Sequence, residues 1–349
     1  MQEMLTRGKF LKVTGSGLAG MAVLGVAGCA GGAGGGQGGS KGATIGLSLE
    51  TLESPFWVAA RDAIREEAKA RGWTVKEAVA DGDPNRQTQQ VQTFVSQQVD
   101  GIILIPKDED TAMPMIQSAD QAGIHIVLFN RAPAQIDDRS TTITANDYDI
   151  TVDTSEYLVQ QAEKTPPPGG GQHQAMILIG DLGDPNAVER RDGFLDTVGK
   201  HPDLIEVVAK VPTQWDLEVA RSGSVNALQA NPDVSLIFTS SDFLFPSLIQ
   251  AMKGAGKYHK SGEEGHVILA GFDGDARAYK MLQDKYLDAT GVQDVFFESK
   301  KSIEAIAMDL EGKNPPVEIT DKGFVIHQDN LAEKEGEMWG AQIAKGELG

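Results

Sequence analysis

Polar and charged side chains recur just past the apolar runs of this chain. Glu50, Glu53 and Ser54 follow the run ending at Leu49, and Asn130 and Arg131 follow Phe129. Asp181 stands after Gly180, Ser241 and Asp242 after Phe238, and Asp273 after Phe272. Guanidinium donors, carboxylate and amide acceptors and small hydroxyls are the groups that fix ligand hydroxyls through paired hydrogen bonds. The aromatics Phe56, Trp57 and Trp215 belong to the same set, and aromatic faces suit the C–H surface of a ring. The mixture points to recognition of a neutral polyhydroxy ligand. Bond-making chemistry finds little support. The six histidines (125, 173, 201, 259, 266 and 327) are scattered, with no pair at a metal-ligand spacing; His125, inside an apolar strand, reads as structural. Asp81-Gly82-Asp83-Pro84-Asn85 opens like a calcium loop, but Arg86 and Gln92 occupy the positions that need glycine and glutamate. No nucleophile elbow or Walker sequence is present. No enzyme, no metal and no cofactor is expected.

The elements that must carry these residues alternate. Residues 44–49 read as a strand. Residues 55–71 have helical spacing, with Ser54 as N-cap and Pro55 in the first turn. Strand 73–80, helix 83–98, strand 102–105, helix 111–122 and strand 124–129 follow. After Asn146 a second round begins with a helix at 150–163 and a Pro/Gly loop at 165–171. Strands are predicted at 176–179, 207–211, 236–238, 267–272 and 287–291, with helices at 186–197, 217–230, 245–254 and 276–283. Continuous apolar strands between amphipathic helices mean parallel sheets covered on both faces. The fold class is therefore α/β, with two Rossmann-like lobes. Ligands of such sheets bind beyond the carboxyl ends of the strands, where the polar residues above fall. Arg190 and Arg191 are about 100° apart around a helix, so only one can face such a cleft.

The chain has 349 residues and a net charge of −19, a length that suits two domains. Past residue 42 it holds 27 basic and 49 acidic residues, a net of −22, so no nucleic-acid partner is expected. Arg7, Lys9 and Lys12 precede a weakly apolar stretch over 13–28 that ends in small residues, the layout of a signal peptide. Gly15-Ser16-Gly17-Leu18-Ala19-Gly20 matches the dinucleotide fingerprint, but it follows no strand and lies inside that signal. Eight of the thirteen residues over 30–42 are glycine, the composition of a flexible tether.

Several of these segments resemble known families. Val26-Ala27-Gly28-Cys29 resembles the lipobox of bacterial lipoproteins, and Cys29 is the only cysteine of the chain. That resemblance implies lipidation at Cys29 and a protein anchored outside the cytoplasm, touching the membrane only through its lipid. Thr6-Arg7-Gly8-Lys9-Phe10-Leu11-Lys12 is similar to a twin-arginine export motif with Gly8 in place of the second arginine, which leaves the export route open.

Residues 43–328 resemble the type I periplasmic binding proteins of sugar ABC importers, in the ribose-binding branch related to the sensor domains of LacI-type repressors. The carriers are Ser54-Pro55-Phe56-Trp57, Asn130-Arg131, Glu189 to Phe194, Gln214-Trp215-Asp216, Ser241-Asp242, Gly271 to Gly274 and Val292-Gln293. The resemblance implies two lobes joined by a three-strand hinge, with crossings near Ala145, Asp294 and Asp321. The expected parts are a signal peptide (1–28), a tether (29–42), an N-terminal lobe (43–145 and 294–321), a C-terminal lobe (146–293 and 322–328) and a tail helix (329–349). It implies stacking by Phe56 and Trp57 from one lobe and Trp215 from the other. Arg131 and Arg190 become the hydroxyl-binding arginines, Asp273 the acceptor and Gln293 the hinge-side glutamine. Ser54, Ser241 and Asn130 depart from the ribose pattern, which commonly has asparagine at the first two positions and aspartate at the third. A neutral sugar or polyol survives that change better than ribose itself. The implied activity is capture by lobe closure in a monomer and delivery to an ABC permease. A sensory protein presenting its ligand to a chemoreceptor or histidine kinase is the alternative. A repressor is excluded, because signal, lipobox and tether fill the space that a helix-turn-helix before Thr44 would need.

Overall fold

Ser54, Asp83 and Asp184 each precede a proline, and each caps the helix that this proline begins. Their side-chain oxygens accept the free N–H groups of the first turn, while proline has no N–H to leave unpaired. Such caps punctuate a computed structural model that describes residues 42–167 and 169–346. The expected signal peptide, Cys29 and nearly all of the tether lie outside the described residues.

The first half runs β1 (Thr44–Leu49), α1 (Pro55–Ala70), β2 (Thr74–Val79), α2 (Pro84–Ser96), β3 (Gly101–Leu104), α3 (Glu109–Gln121), β4 (Ile126–Phe129) and β5 (Ser140–Ala145). There follow α4 (Asp147–Lys164), β6 (His173–Ile179), α5 (Pro185–Val198), β7 (Ile205–Pro212), α6 (Leu217–Ala230) and β8 (Val234–Thr239). A single 3-10 turn (Asp242–Leu244) leads into α7 (Phe245–Gly254), β9 (Ile268–Asp273), α8 (Ala276–Gln283), β10 (Ala289–Val292) and α9 (Val295–Leu310). The chain closes with β11 (Glu318–Asp321), β12 (Phe324–His327), α10 (Leu331–Lys334) and α11 (Trp339–Ala344).

The strands form two six-stranded sheets, in the orders β11-β5-β4-β3-β1-β2 and β12-β10-β9-β8-β6-β7. Every residue of β3, β4, β8 and β9 is buried, because helices cover both faces of each sheet. The first sheet is parallel throughout. The second departs from the all-parallel expectation at one edge, where β12 pairs antiparallel with β10. The chain passes between the sheets three times: after Ala145, between β10 and α9 (which packs on α1, β4 and β5), and between β11 and β12. This is the two-lobe fold of a periplasmic binding protein, and the three passages are its hinge.

Four elements were not legible in advance. β5 reads Ser-Thr-Thr-Ile-Thr-Ala and β11 Glu-Ile-Thr-Asp, strands whose polar residues break the apolar run that betrays a buried strand; α9 and β12 also lie outside the elements expected from the sequence. The tail is not the single surface helix expected over 329–349. It forms two short helices, α10 and α11, and buries Met338 and Trp339 completely.

Close packing leaves one clear test. Gly46 lies on β1 under the ring of Phe94 from α2, and a Cβ there would come within 2.6 Å of that ring. Gly46→Ala is expected to cost about 1–3 kcal/mol by overpacking. Urea unfolding should show a lower midpoint with an unchanged slope.

Candidate functional site

The carboxyl ends of β1, β3 and β4 and those of β6, β8, β9 and β10 meet across a cleft. Between them lies a small cavity of about 60 Å³ that is partly open to solvent. Its wall contains Ser54, Phe56, Trp57, Asn130 and Arg131 from the first lobe, with Arg190, Trp215, Ser241, Asp273 and Gln293 from the second. Twelve of the fourteen residues expected at the site from the sequence, Glu50 and Glu53 among them, thus surround one space.

Arg131 follows β4 and is 4% exposed. One terminal nitrogen donates to Glu50 Oε2 and to the carbonyl of Pro106 at 2.9 Å. The other reaches Asp184 Oδ2 of the opposite lobe at 2.8 Å. Its guanidinium carbon lies 5.3 Å from the centre of the Trp57 ring. Asp184 Oδ2 also accepts from the indole of Trp215 at 2.9 Å. Trp215 and Gln214 both have a positive φ, 56° and 55°, a conformation that costs free energy in non-glycine residues and concentrates at ligand clamps. Gly180 makes room for that indole, since a Cβ there would stand 2.1 Å from Trp215 Cζ2.

Arg190, buried on α5, forms the second knot. Its Nε donates to Asp147 Oδ1 at 2.7 Å, and Nη1 donates to the Ser240 carbonyl at 3.0 Å and to Asp273 Oδ1 at 3.3 Å. Gln293 Nε2 donates to the same Asp273 oxygen at 2.8 Å, while Ser241 donates to the other. Asp273 sits at φ 117°, held there by these partners. Asn130 joins the knots: its Nδ2 donates to Gln293 Oε1 at 2.8 Å and to the buried Glu298 carboxyl at 3.1 Å, and its Oδ1 accepts from Asn186 at 2.9 Å. Lys107 adds an ion pair across the cleft with Asp181 at 3.4 Å. Asp181 itself does not line the cavity.

Asp242 is the other expected residue that stays outside the cavity wall. It is fully buried behind the site, and its carboxylate accepts from the N–H groups of Gly274 (2.8 Å) and Asp275 (3.2 Å) and from the Thr290 hydroxyl. It braces the loop that carries Asp273 and does not reach the cavity. Its position three residues past Thr239 suggests a ligand contact, but the 3-10 turn directs its carboxyl backwards. Asp184, Asn186, Thr51 and Phe243 line the cavity and are not among the residues expected from the sequence, whereas Glu50 and Glu53 are expected and do line it. Asp184 carried a usable signal, an Asp-Pro helix start past the end of β6, equivalent to Ser54-Pro55 in the other lobe.

Over residues 45–314 the chain matches the family described as periplasmic binding protein domain. This chain belongs to that family. The ribose import binding protein of Bacillus subtilis (strain 168) is 29% identical over 273 residues, 78% of this chain and 83% of the relative. A solved ABC transporter solute binding protein from Bacillus halodurans C-125 with bound myo-inositol superposes with a TM-score of 0.76 at 22% identity, covering 86% of this chain and all of that one. A fructose binding periplasmic domain of a hybrid two component system superposes at 0.74 with 23% identity, over 88% and 97% of the two chains. At these identities the two structures establish the shared fold. Among the described residues no cluster of three or more His, Cys, Asp or Glu is disposed to hold a metal ion.

One guanidinium cannot neutralise two buried carboxylates. Burial therefore pushes Asp147 up to about 7 and Asp273 up to about 6, against the opposing pull of Arg190. Burial, aided by the charge of Asp321, also raises Glu298 well above the usual carboxylate range. The folded protein then holds protons that the unfolded chain releases near pH 4. Their contribution to stability is full below that pH and is lost as pH rises through about 6 and 7. Urea midpoints measured from pH 5 to 8 should fall with rising pH, and Asp147→Asn should flatten the slope.

Proposed function

We propose that this chain is an extracytoplasmic solute-binding lipoprotein that captures a neutral monosaccharide or polyol between its two lobes and delivers it to an ABC importer. The observation that carries the reading is the pairing of both site arginines inside the protein. Arg131 lies between Glu50 and Asp184, and Arg190 lies between Asp147 and Asp273. Neither guanidinium has a net positive charge to offer an anion, yet donors and acceptors remain for hydroxyls. Phe56, Trp57, Trp215 and Phe243 supply apolar surface to the C–H side of a ring. Ribose, myo-inositol and fructose, named for the relatives above, are all neutral and polyhydroxylated.

The three departures from the ribose pattern favour another member of that class. Ser241 spends its proton on Asp273, Ser54 Oγ accepts from the Phe56 N–H, and the Asn130 amide is taken up by Gln293, Glu298 and Asn186. Each presents less to a ligand than a free amide or carboxylate would. Residues 43–145 with 294–321 act as one lobe and 146–293 with 322–328 as the other. A ligand touching both binds the closed form better and shifts the population toward it; moving from 1:99 to 99:1 takes about 5.5 kcal/mol. The chain works as a monomer, anchored through lipid on Cys29, and a permease reads the closed shape. Presentation to a sensory partner is the second reading, favoured by the likeness to the periplasmic domain of a two component system.

A thermal-shift screen against pentoses, hexoses, deoxy sugars, polyols and inositols tests the reading. Ligand at 1,000 times Kd adds about 4 kcal/mol, a shift of several degrees. One neutral compound should stand out, and Arg190→Ala should abolish its effect. A flat screen would overturn the neutral-sugar assignment. A deletion strain that still imports that compound would favour the sensory role. Labelled palmitate should enter the wild-type chain in its host and fail to enter Cys29→Ser.

A further inference from the structure

The family match ends at residue 314, yet the tail beyond β12 reaches the binding cleft. Gln328 donates to the carbonyls of Leu282 and Leu287 at 2.8 and 2.7 Å, and the Tyr279 hydroxyl donates to Glu335 at 2.8 Å. These bonds fasten the tail to the second lobe. α11 then lies directly on the loop after β9: the Gly340 N–H donates to the Gly274 carbonyl at 3.1 Å. Only glycine allows that approach, because a Cβ at 340 would stand 2.2 Å from the carbonyl carbon of Asp275.

This seating carries Trp339 into the interior, where it is 1% exposed. Its indole N–H donates to the carbonyl oxygen of Asp273 at 2.7 Å. That carbonyl belongs to the one cavity-wall acid held at a positive φ of 117°. The other side of the indole meets Phe56 of the first lobe, edge to face, with ring centroids 6.0 Å apart and planes at 77°. Phe56 in turn touches Trp57 and Phe129. A single side chain from the tail thus holds the backbone of Asp273 and reaches across to an aromatic of the opposite lobe, without itself lining the cavity.

We propose that the C-terminal tail is a latch on lobe closure, with Trp339 as a positioning residue that fixes Asp273 and clasps Phe56. Opening the lobes separates the two rings and exposes both, so their contact stabilises the closed form alone. The tail acts on ligand retention through the equilibrium between open and closed forms. This rests on the binding-protein reading above for its consequence, but not for the closure itself.

The test compares the full wild-type chain with Trp339→Phe and Trp339→Leu. The first keeps a ring against Phe56 and loses the N–H; the second loses both. Small-angle scattering without ligand should give a larger radius of gyration for Trp339→Leu, while Trp339→Phe, which keeps a ring against Phe56, stays near the wild type. Dissociation of whichever of D-ribose, D-allose and myo-inositol the wild type binds should quicken roughly tenfold in Trp339→Phe, the effect of one lost buried hydrogen bond. A folded Trp339→Leu that keeps the wild-type radius would overturn the latch, whatever its melting temperature. If the wild type binds none of the three probes, the scattering comparison still decides the latch while the ligand assignment fails separately.

Discussion

The closed cleft is held by a buried guanidinium that draws one carboxylate partner from each lobe. Arg131 is almost wholly buried, with Glu50 of its own lobe on one side and Asp184 of the other lobe on the other. A buried charge is tolerated only when paired and hydrogen-bonded, and removing one partner of such a pair costs several kcal/mol, about 3–5. Asp184 is itself committed three ways, capping α5, accepting from Trp215 and pairing Arg131. Closing the lobes therefore assembles the second wall of the site and completes the electrostatics of the first. The interaction explains why Trp215 tolerates a left-handed backbone, since its indole N–H must meet Asp184.

A second arginine imposes the same constraint within one lobe. Arg190 sits on the Phe272 ring, its guanidinium carbon 3.9 Å from the centroid, between Asp147 and Asp273. Two carboxylates on one cation leave a surplus negative charge in the interior, and one acid answers by holding its proton more tightly. The Asn130 amide, set at φ 65°, ties this knot to the hinge through Gln293 and Glu298. The charges of the wall are thus mostly paired within the protein, which suits a ligand of hydroxyls better than one of charges.

Much of this was legible because it follows from local chemistry. The boundaries of β1, α6, α7 and α8 coincide with the apolar runs and caps in the sequence. Residues just past the strand ends gather at the cleft because parallel strands put all their carboxyl ends on one side. What escaped depended on distant partners. β5 is a run of threonines that becomes a strand only between β4 and β11. Asp242 and Asp273 both follow an apolar run in the sequence, but tertiary donors at Gly274, Asp275 and Thr290 turn the former away from the cavity. The tail looked like a solvated helix by composition, and nothing local told that Trp339 would find the carbonyl of Asp273.

The central claim is that one neutral polyhydroxy molecule occupies the space between the two arginine knots. Native mass spectrometry of the chain incubated with an equimolar mixture of pentoses, hexoses and inositols tests it most directly. A single adduct of one neutral sugar or polyol per chain is expected, absent from Arg190→Ala. An adduct that persists in Arg190→Ala, or no adduct with any compound of the mixture, would contradict it.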